Sequence, residues 1–240
     1  MKKYEFTGEI MVHEGITLRR IRRISDNLIG GWIESEENLS QKGDCFIFDN
    51  AKVYGNAKVS GNASVFSNAK IYGNAIIRQN ARVYGDVTVY NNAVVCENAE
   101  VYNNAKVYGD AVVYGDARVY ESAKVYDNAI IRQNARVYGD VTVYNDAEVC
   151  NNARVYGNAI LYKGIHIGEV VVKHDKVLYI QCAQRMMTLY SKEGIIYCNI
   201  GCQKGMTYKD LLRRIEEYGG MSPHRQEYVN IMEASKILLR

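Results

Sequence analysis

Four histidines and six cysteines are the side chains of this 240-residue chain with most to offer acid–base, nucleophilic or metal chemistry. The histidines are His13, His166, His174 and His224, too dispersed to converge on a hydrolytic zinc ion. Cys198 and Cys202 form a C-x3-C pair that Cys182 could join, but no fourth ligand stands at a metal-site spacing, so buried thiols and no metal are expected. Without a framework spacing, the cysteines read as reduced thiols of a cytosolic protein. No phosphate-binding glycine loop, nucleophile elbow or dinucleotide fingerprint is present. The apolar runs are too short for a membrane helix, and Met1–Gly8 lacks the apolar stretch of a secretory signal. Thirty basic and 27 acidic residues leave a net charge of +3, which does not mark a nucleic-acid protein.

The element that must position any site is a repeat. A six-residue unit, typified by Asn50-Ala51-Lys52-Val53-Tyr54-Gly55, runs from Cys45 to Lys163 without an insertion, about 20 times. Ala-Lys-Val-Tyr alternates with a period of two, so alanine and valine point to one side and lysine and tyrosine to the other. Gly-Asn then makes a corner, where positive φ is tolerated. Such a unit cannot bury itself; wound into turns, its backbone pairs with the turns on either side. The stretch Asn74–Asn91 recurs identically at Asn128–Asn145, 54 residues or nine units on.

The aliphatic residue followed four positions later by a small one, as in Val53 and Ala57, Ile71 and Ala75, or Val107 and Ala111, resembles the hexapeptide repeat of left-handed parallel β-helix proteins. The resemblance implies a mainly β, left-handed, three-sided solenoid with 18 residues per coil. Six to seven coils would then make a rod about 32 Å long at ~4.8 Å per coil. The string Gly30-Gly31-Trp32-Ile33-Glu34-Ser35-Glu36-Glu37-Asn38-Leu39-Ser40 with Gly43-Asp44 further resembles the entry segment of YdcK-like hexapeptide-repeat proteins of bacteria and phages, often labelled acyltransferases. That resemblance covers roughly residues 18–163. Three parts are expected: an N-terminal cap at 1–44, the repeat at 45–163, and a C-terminal α+β module at 164–240. Trp32 is expected to lid the open first coil.

Sorted by 18, the outward residues differ from face to face. The first face carries Tyr54, Tyr72, Tyr90, Tyr108, Tyr126, Tyr144 and Tyr162 beside lysines and threonines. The third carries Phe66, Tyr84, Tyr102, Tyr120, Tyr138 and Tyr156 beside arginines. These are expected either as plain structural stacks or as an aromatic surface attractive to anions. The second face is different: Ile76, Val94, Val112 and Ile130 point outward before the core residue, and Arg78, Cys96, Tyr114 and Arg132 after it. An exposed apolar stripe marks a contact surface, to be covered by another subunit or by the C-terminal helices. By the resemblance, assembly is a trimer with ligand sites between subunits, and Arg78-Gln79 and Arg132-Gln133 would border a site for a phosphate or carboxylate.

At the ends, Thr17–Ile24 concentrates four arginines, read as an anion patch or as a capping strand with solvated charges. Lys176–Cys182 and Gly194–Asn199 are predicted strands. Thr207-Tyr208-Lys209-Asp210 has the form of a capping box opening a helix that ends at Gly219-Gly220. A second helix starts at Ser222-Pro223, with Tyr228, Ile231, Met232 and Ser235 inward.

Two functions are open. One is a non-enzymatic, self-associating solenoid, which the phage side of the resemblance would make a blocker of a host protein or a trap for a nucleotide. The other is a coenzyme-A-dependent acyltransferase using acetyl-CoA or another acyl-CoA. That family uses a histidine base beside a protruding loop; here the repeat has neither, and only His166, just past it, is placed to serve.

Overall fold

The structure, a computed structural model, describes residues 2–161, 166–167, 171–172, 177–181, 186–192, 195–200, 203–220, 225–226, 228–230 and 232–233. The repeat forms a three-sided solenoid of about seven turns, and residues 18 apart lie in register. Val53 pairs with Ile71, Val95 with Ile77 and Val113, and Val83 with Val65 and Val101, each in parallel. The amide of Val94 donates to the carbonyl of Ala111 at 2.9 Å, and that of Cys96 to Val113 at 3.0 Å, so each turn hangs on the next. Inside, one aliphatic and one small residue per strand are fully buried in one continuous core. Small residues are required because three strands converge on a narrow interior. At the corners, asparagine amides donate to the residue 18 further on, as from Asn62 to Asn80 at 3.1 Å and from Asn80 to Asn98 at 3.0 Å. Where an aspartate stands, as at Asp116, the carboxylate accepts from Asn98 and has no proton to pass on.

The parallel ladders outrun residues 45–163 at both ends. Strand β3 (Ile29–Ile33) pairs in parallel with Lys52–Val53, and Leu39 bridges Val59 in parallel, so the Gly30–Ser40 string is itself a turn of the solenoid. Gly30 and Gly31 allow it: a Cβ would lie 2.6 Å from the Ile47 carbonyl oxygen at Gly30 and 2.5 Å from that of Ala51 at Gly31. Asn38, the only buried polar side chain among the described residues, donates to the carbonyls of Gly55 and Ala57 at 2.9 and 3.0 Å. At the other end, 166–167 pairs with Glu148–Val149 and 171–172 with Arg154–Val155.

A hairpin of β1 (Tyr4–His13) and β2 (Ile16–Arg23) adds antiparallel to β3 and closes the end. Tyr4 and Ile21 join the core as its lid, and the Tyr4 hydroxyl donates to Leu39 O at 2.8 Å. Trp32 is not the lid. Position 32 falls one residue before the core-facing Ile33, so the indole points outward on the first face. It packs there with Leu18 and Tyr54 under the Arg20 guanidinium, 5.1 Å from its ring. Three of the four arginines of β2 are ion-paired locally, Arg22 with Glu5, Arg20 with Glu9 at 3.5 Å and Arg23 with Asp26 at 2.9 Å, while Arg19 lies over the Phe6 ring at 5.3 Å. This is the capping-strand reading, not an anion patch.

The C-terminal part is an antiparallel meander of Val177–Gln181, Met186–Lys192, Ile195–Ile200 and Gln203–Thr207, followed by α1 (Tyr208–Glu217). The Thr207 hydroxyl accepts from the Asp210 amide at 3.2 Å while the Asp210 carboxylate accepts from the Thr207 amide at 3.1 Å, the reciprocal cap the sequence predicts. Val229 and Met232, in the following helical residues, pack with Leu211 and Ile215 against Leu189, Cys198 and Ile200. Ser222, Pro223, Ile231 and Ser235 lie outside the described residues. Among the described residues, no helix is long and apolar enough to cross a membrane.

Candidate functional site

The second face carries the feature that most sets it apart. Successive parallel pairs place Ile76, Val94, Val112 and Ile130 in one vertical column. Lys58 stands in the same column one turn before Ile76, and Glu148 one turn after Ile130. Ile76 is 36% exposed and the other three are half-buried, although their immediate successors in the chain are fully inside. Beside them runs a second column of Ser60, Arg78, Cys96, Tyr114, Arg132 and Cys150. Cys96 and Cys150 are buried, and Tyr114 is half-buried. Burial pushes the Cys96 thiol up against the pull of the Arg78 guanidinium, which makes it a packing group rather than a nucleophile.

The apolar side of α1 does not cover this column, because Leu211 and Ile215 are buried against α1's own sheet.

The two arginines expected beside the stripe are not equivalent. The Arg132 Nε donates to the Glu148 carboxylate, and a second nitrogen donates to Gln133 Oε1 at 3.1 Å. Arg78 is exposed and has no carboxylate in ion-pair range among the described residues. The glutamines are structural. Gln79 and Gln133 sit at corners with φ of 61° and 59°, and their Oε1 atoms accept from the amides of Glu97 and Asn151 at 3.2 and 2.9 Å. Their carbonyls are thus engaged in the corner ladder, so of the four residues expected at an anion site, Arg78 alone presents an uncommitted charge.

The aromatic faces are ladders of stacked rings. From Phe66 through Tyr84, Tyr102, Tyr120 and Tyr138 to Tyr156, centroids are 4.7–5.1 Å apart and planes within 4°. The first-face rings from Tyr54 to Tyr144 stack at 4.7–5.1 Å with planes within 12°; Tyr162 lies outside the described residues. Each interior ring has both faces taken by its neighbours, so no base can intercalate, and the expected stacking surface offers only ring edges and hydroxyls. Glu100 bridges Arg82 and Arg118 at 3.6 and 3.2 Å on the third face, reducing its positive field. An open groove of about 580 Å³ along the corner between third and first faces is lined by Asp86, Glu121 and Asp140, the wrong sign for an anion.

Strand 166–167 puts His166 at the rung after Glu148 on the second sheet; its side chain lies outside the described residues. His174, His224, Cys182 and Cys202 lie outside them too. Among the described residues, no cluster of three or more histidine, cysteine, aspartate or glutamate side chains could hold a metal ion.

Residues 81–97 and 135–151 match the family model of the YdcK β-solenoid repeat. Each match passes once along the third, first and second faces, and the two are 54 residues apart, on the duplicated stretches and the second-face strands that follow them. The chain thus carries YdcK-type β-solenoid repeats on a structure that is a β-solenoid throughout the repeat. A search of the curated proteins finds no match.

Proposed function

We propose that this solenoid is a non-enzymatic binding protein that works as an assembly of its own copies, with the second face as the contact surface. One observation carries the reading: the in-register column of Ile76, Val94, Val112 and Ile130 is left outward on a rod whose other faces are aromatic and charged. A lone exposed valine needs no explanation, whereas four stacked at ~4.8 Å form a continuous apolar strip. Assembly leaves the tyrosine-edged faces outward for a protein partner, and Arg78 at the border of the contact for a small anion such as a nucleotide phosphate.

The acyltransferase reading has less support. Across residues 45–161 the coils carry no insertion and no histidine, and the Cys96 thiol is raised rather than activated. Transfer from acetyl-CoA that vanishes in His166→Ala would establish it.

Mass in solution tests the proposal. The wild type is expected above monomer mass, and Val112→Asp with Ile130→Asp at the mass of one chain with an unchanged circular dichroism spectrum. A wild type that stays monomeric at all concentrations overturns it.

A further inference from the structure

The order of residues down the second face reads Lys58, Ile76, Val94, Val112, Ile130, Glu148. The apolar part is a palindrome, and the charges at its two ends are opposite. We infer that two copies pack second face to second face with their axes antiparallel, about a two-fold axis between Val94 and Val112. This rests on the self-association proposed above and adds its partner, its direction and its register.

The argument is geometric. In a two-fold contact, if residue i meets residue j, then j meets i. A two-fold axis lying in the face and perpendicular to the rod reverses the order of coils and keeps each column opposite itself. Ile76 then meets Ile130 of the second copy, Val94 meets Val112, and Lys58 meets Glu148, each contact occurring twice. The alternative face-to-face dimer, with parallel rods, keeps the coils level: with its axis on the apolar column it sets Lys58 on Lys58 and Glu148 on Glu148, and with its axis between the columns it sets Ile76 on Arg78 and Ile130 on Arg132. The nearly parallel ring planes of the ladders show that the solenoid has little twist, so the face is flat enough for six rungs to meet at once.

The charges agree with this arrangement. The Lys58 side chain is exposed and has no hydrogen bond or ion pair among the described residues. Glu148 is held by Arg132 of its own chain. Across the two-fold, Glu148 accepts from Lys58 of the other copy as well, and the same operator sets Arg78 of that copy opposite Arg132, so that two guanidiniums face one another one rung from the Glu148 carboxylate.

Carbodiimide coupling of the wild-type protein tests the register, because it joins an amine to a carboxylate only when they touch. Within one chain Lys58 and Glu148 are five coils, about 24 Å, apart, so a Lys58–Glu148 amide found by mass spectrometry in the dimer-mass band is intermolecular. It is expected in the wild type and absent from Val112→Asp. Charge reversal supplies a second measurement. Lys58→Glu alone and Glu148→Lys alone should each weaken association about tenfold or more. An equimolar mixture of the two should associate like the wild type, because both cross-pairs are restored in the mixed dimer. A wild type that never associates removes the underlying reading. A wild type that associates through Val112 but gives no Lys58–Glu148 amide and no rescue on mixing, or has the mass of three chains, overturns the antiparallel pair alone.

Discussion

The chain contains one 18-residue sequence twice, and the two copies do not have the same surroundings. Asn74–Asn91 and Asn128–Asn145 share the same framework: Ile77 and Ile131 are fully buried, Gln79 and Gln133 hold the same left-handed corner, and Tyr84 and Tyr138 occupy equivalent rungs of one ladder. One turn later they part. The first copy is followed by Val94 and the second by Glu148, sixteen residues after Arg78 and Arg132 respectively. So the same arginine is ion-paired in one place and uncompensated in the other. In a solenoid, the inside of a rung is set by its own sequence and the outside by the rung beyond it. The copies also bracket Val94 and Val112, each presenting its isoleucine toward a valine on the inner side and a charge on the outer.

The largest effects should ignore the difference between the copies. Ile77→Ala and Ile131→Ala each leave a hole in a closed core and should each cost about 2–5 kcal/mol of unfolding free energy. Chemical denaturation of the two variants should agree; a difference of more than about 1 kcal/mol would show that position along the rod matters to core energetics.

The next effect should separate the copies. Arg132→Ala removes the ion pair with Glu148 and should cost about 0.5–1 kcal/mol, because both side chains are partly screened at 29% and 25% exposure. Arg78→Ala should change stability by less than about 0.5 kcal/mol. Grafting closes the comparison. Val94→Glu gives Arg78 the partner that Arg132 has, so removing Arg78 in that background should now carry a measurable cost in a double-mutant cycle. The same Val94→Glu change puts a charge at the centre of the apolar strip and should abolish association. A cycle with no coupling would mean that the sixteen-residue spacing does not bring the two side chains together at that rung.

How much of this was legible in the sequence follows the same division. Periodicity was enough for the core positions, which depend only on which side of a strand a residue takes, and the 18-residue turn that the resemblance implied, supported by the 54-residue offset, was enough for the membership of each face. The Thr207–Asp210 cap was legible because it is local. Trp32 was misplaced because Gly30–Ser40 was read as a cap and not as a turn of the repeat, in which position 32, one before the core-facing Ile33, points outward. The tyrosines were correctly stacked, but only ring distances show that their faces are used up. That Gln133 serves the corner while Arg132 is neutralised depends on Asn151 and Glu148, whose relevance appears once i+18 and i+16 are read as neighbours.

The smallest predicted effect lies between the copies, in the middle of both ladders. Tyr102 and Tyr108 are pushed up to about 12 from the usual 10, first by burial and then by the phenols on either side, Tyr120 and Tyr84 for one and Tyr90 and Tyr126 for the other. In the unfolded chain these phenols lose their protons near pH 10, while in the solenoid they keep them to about 12. Above pH 10 the unfolded state therefore binds fewer protons, and stability falls with rising pH across that window; below it there is no contribution from these groups. Thermal unfolding should hold its midpoint up to about pH 9 and decline beyond it. Phenolate absorbance of the folded protein should show a late-titrating class. Tyr120→Phe keeps the ring in the stack and removes one ionisable neighbour of Tyr102, so Tyr102 should titrate slightly lower while Tyr108, on the other face, stays where it was. If both move together, the shift arises from loosening of the whole rod at high pH rather than from contacts along one ladder.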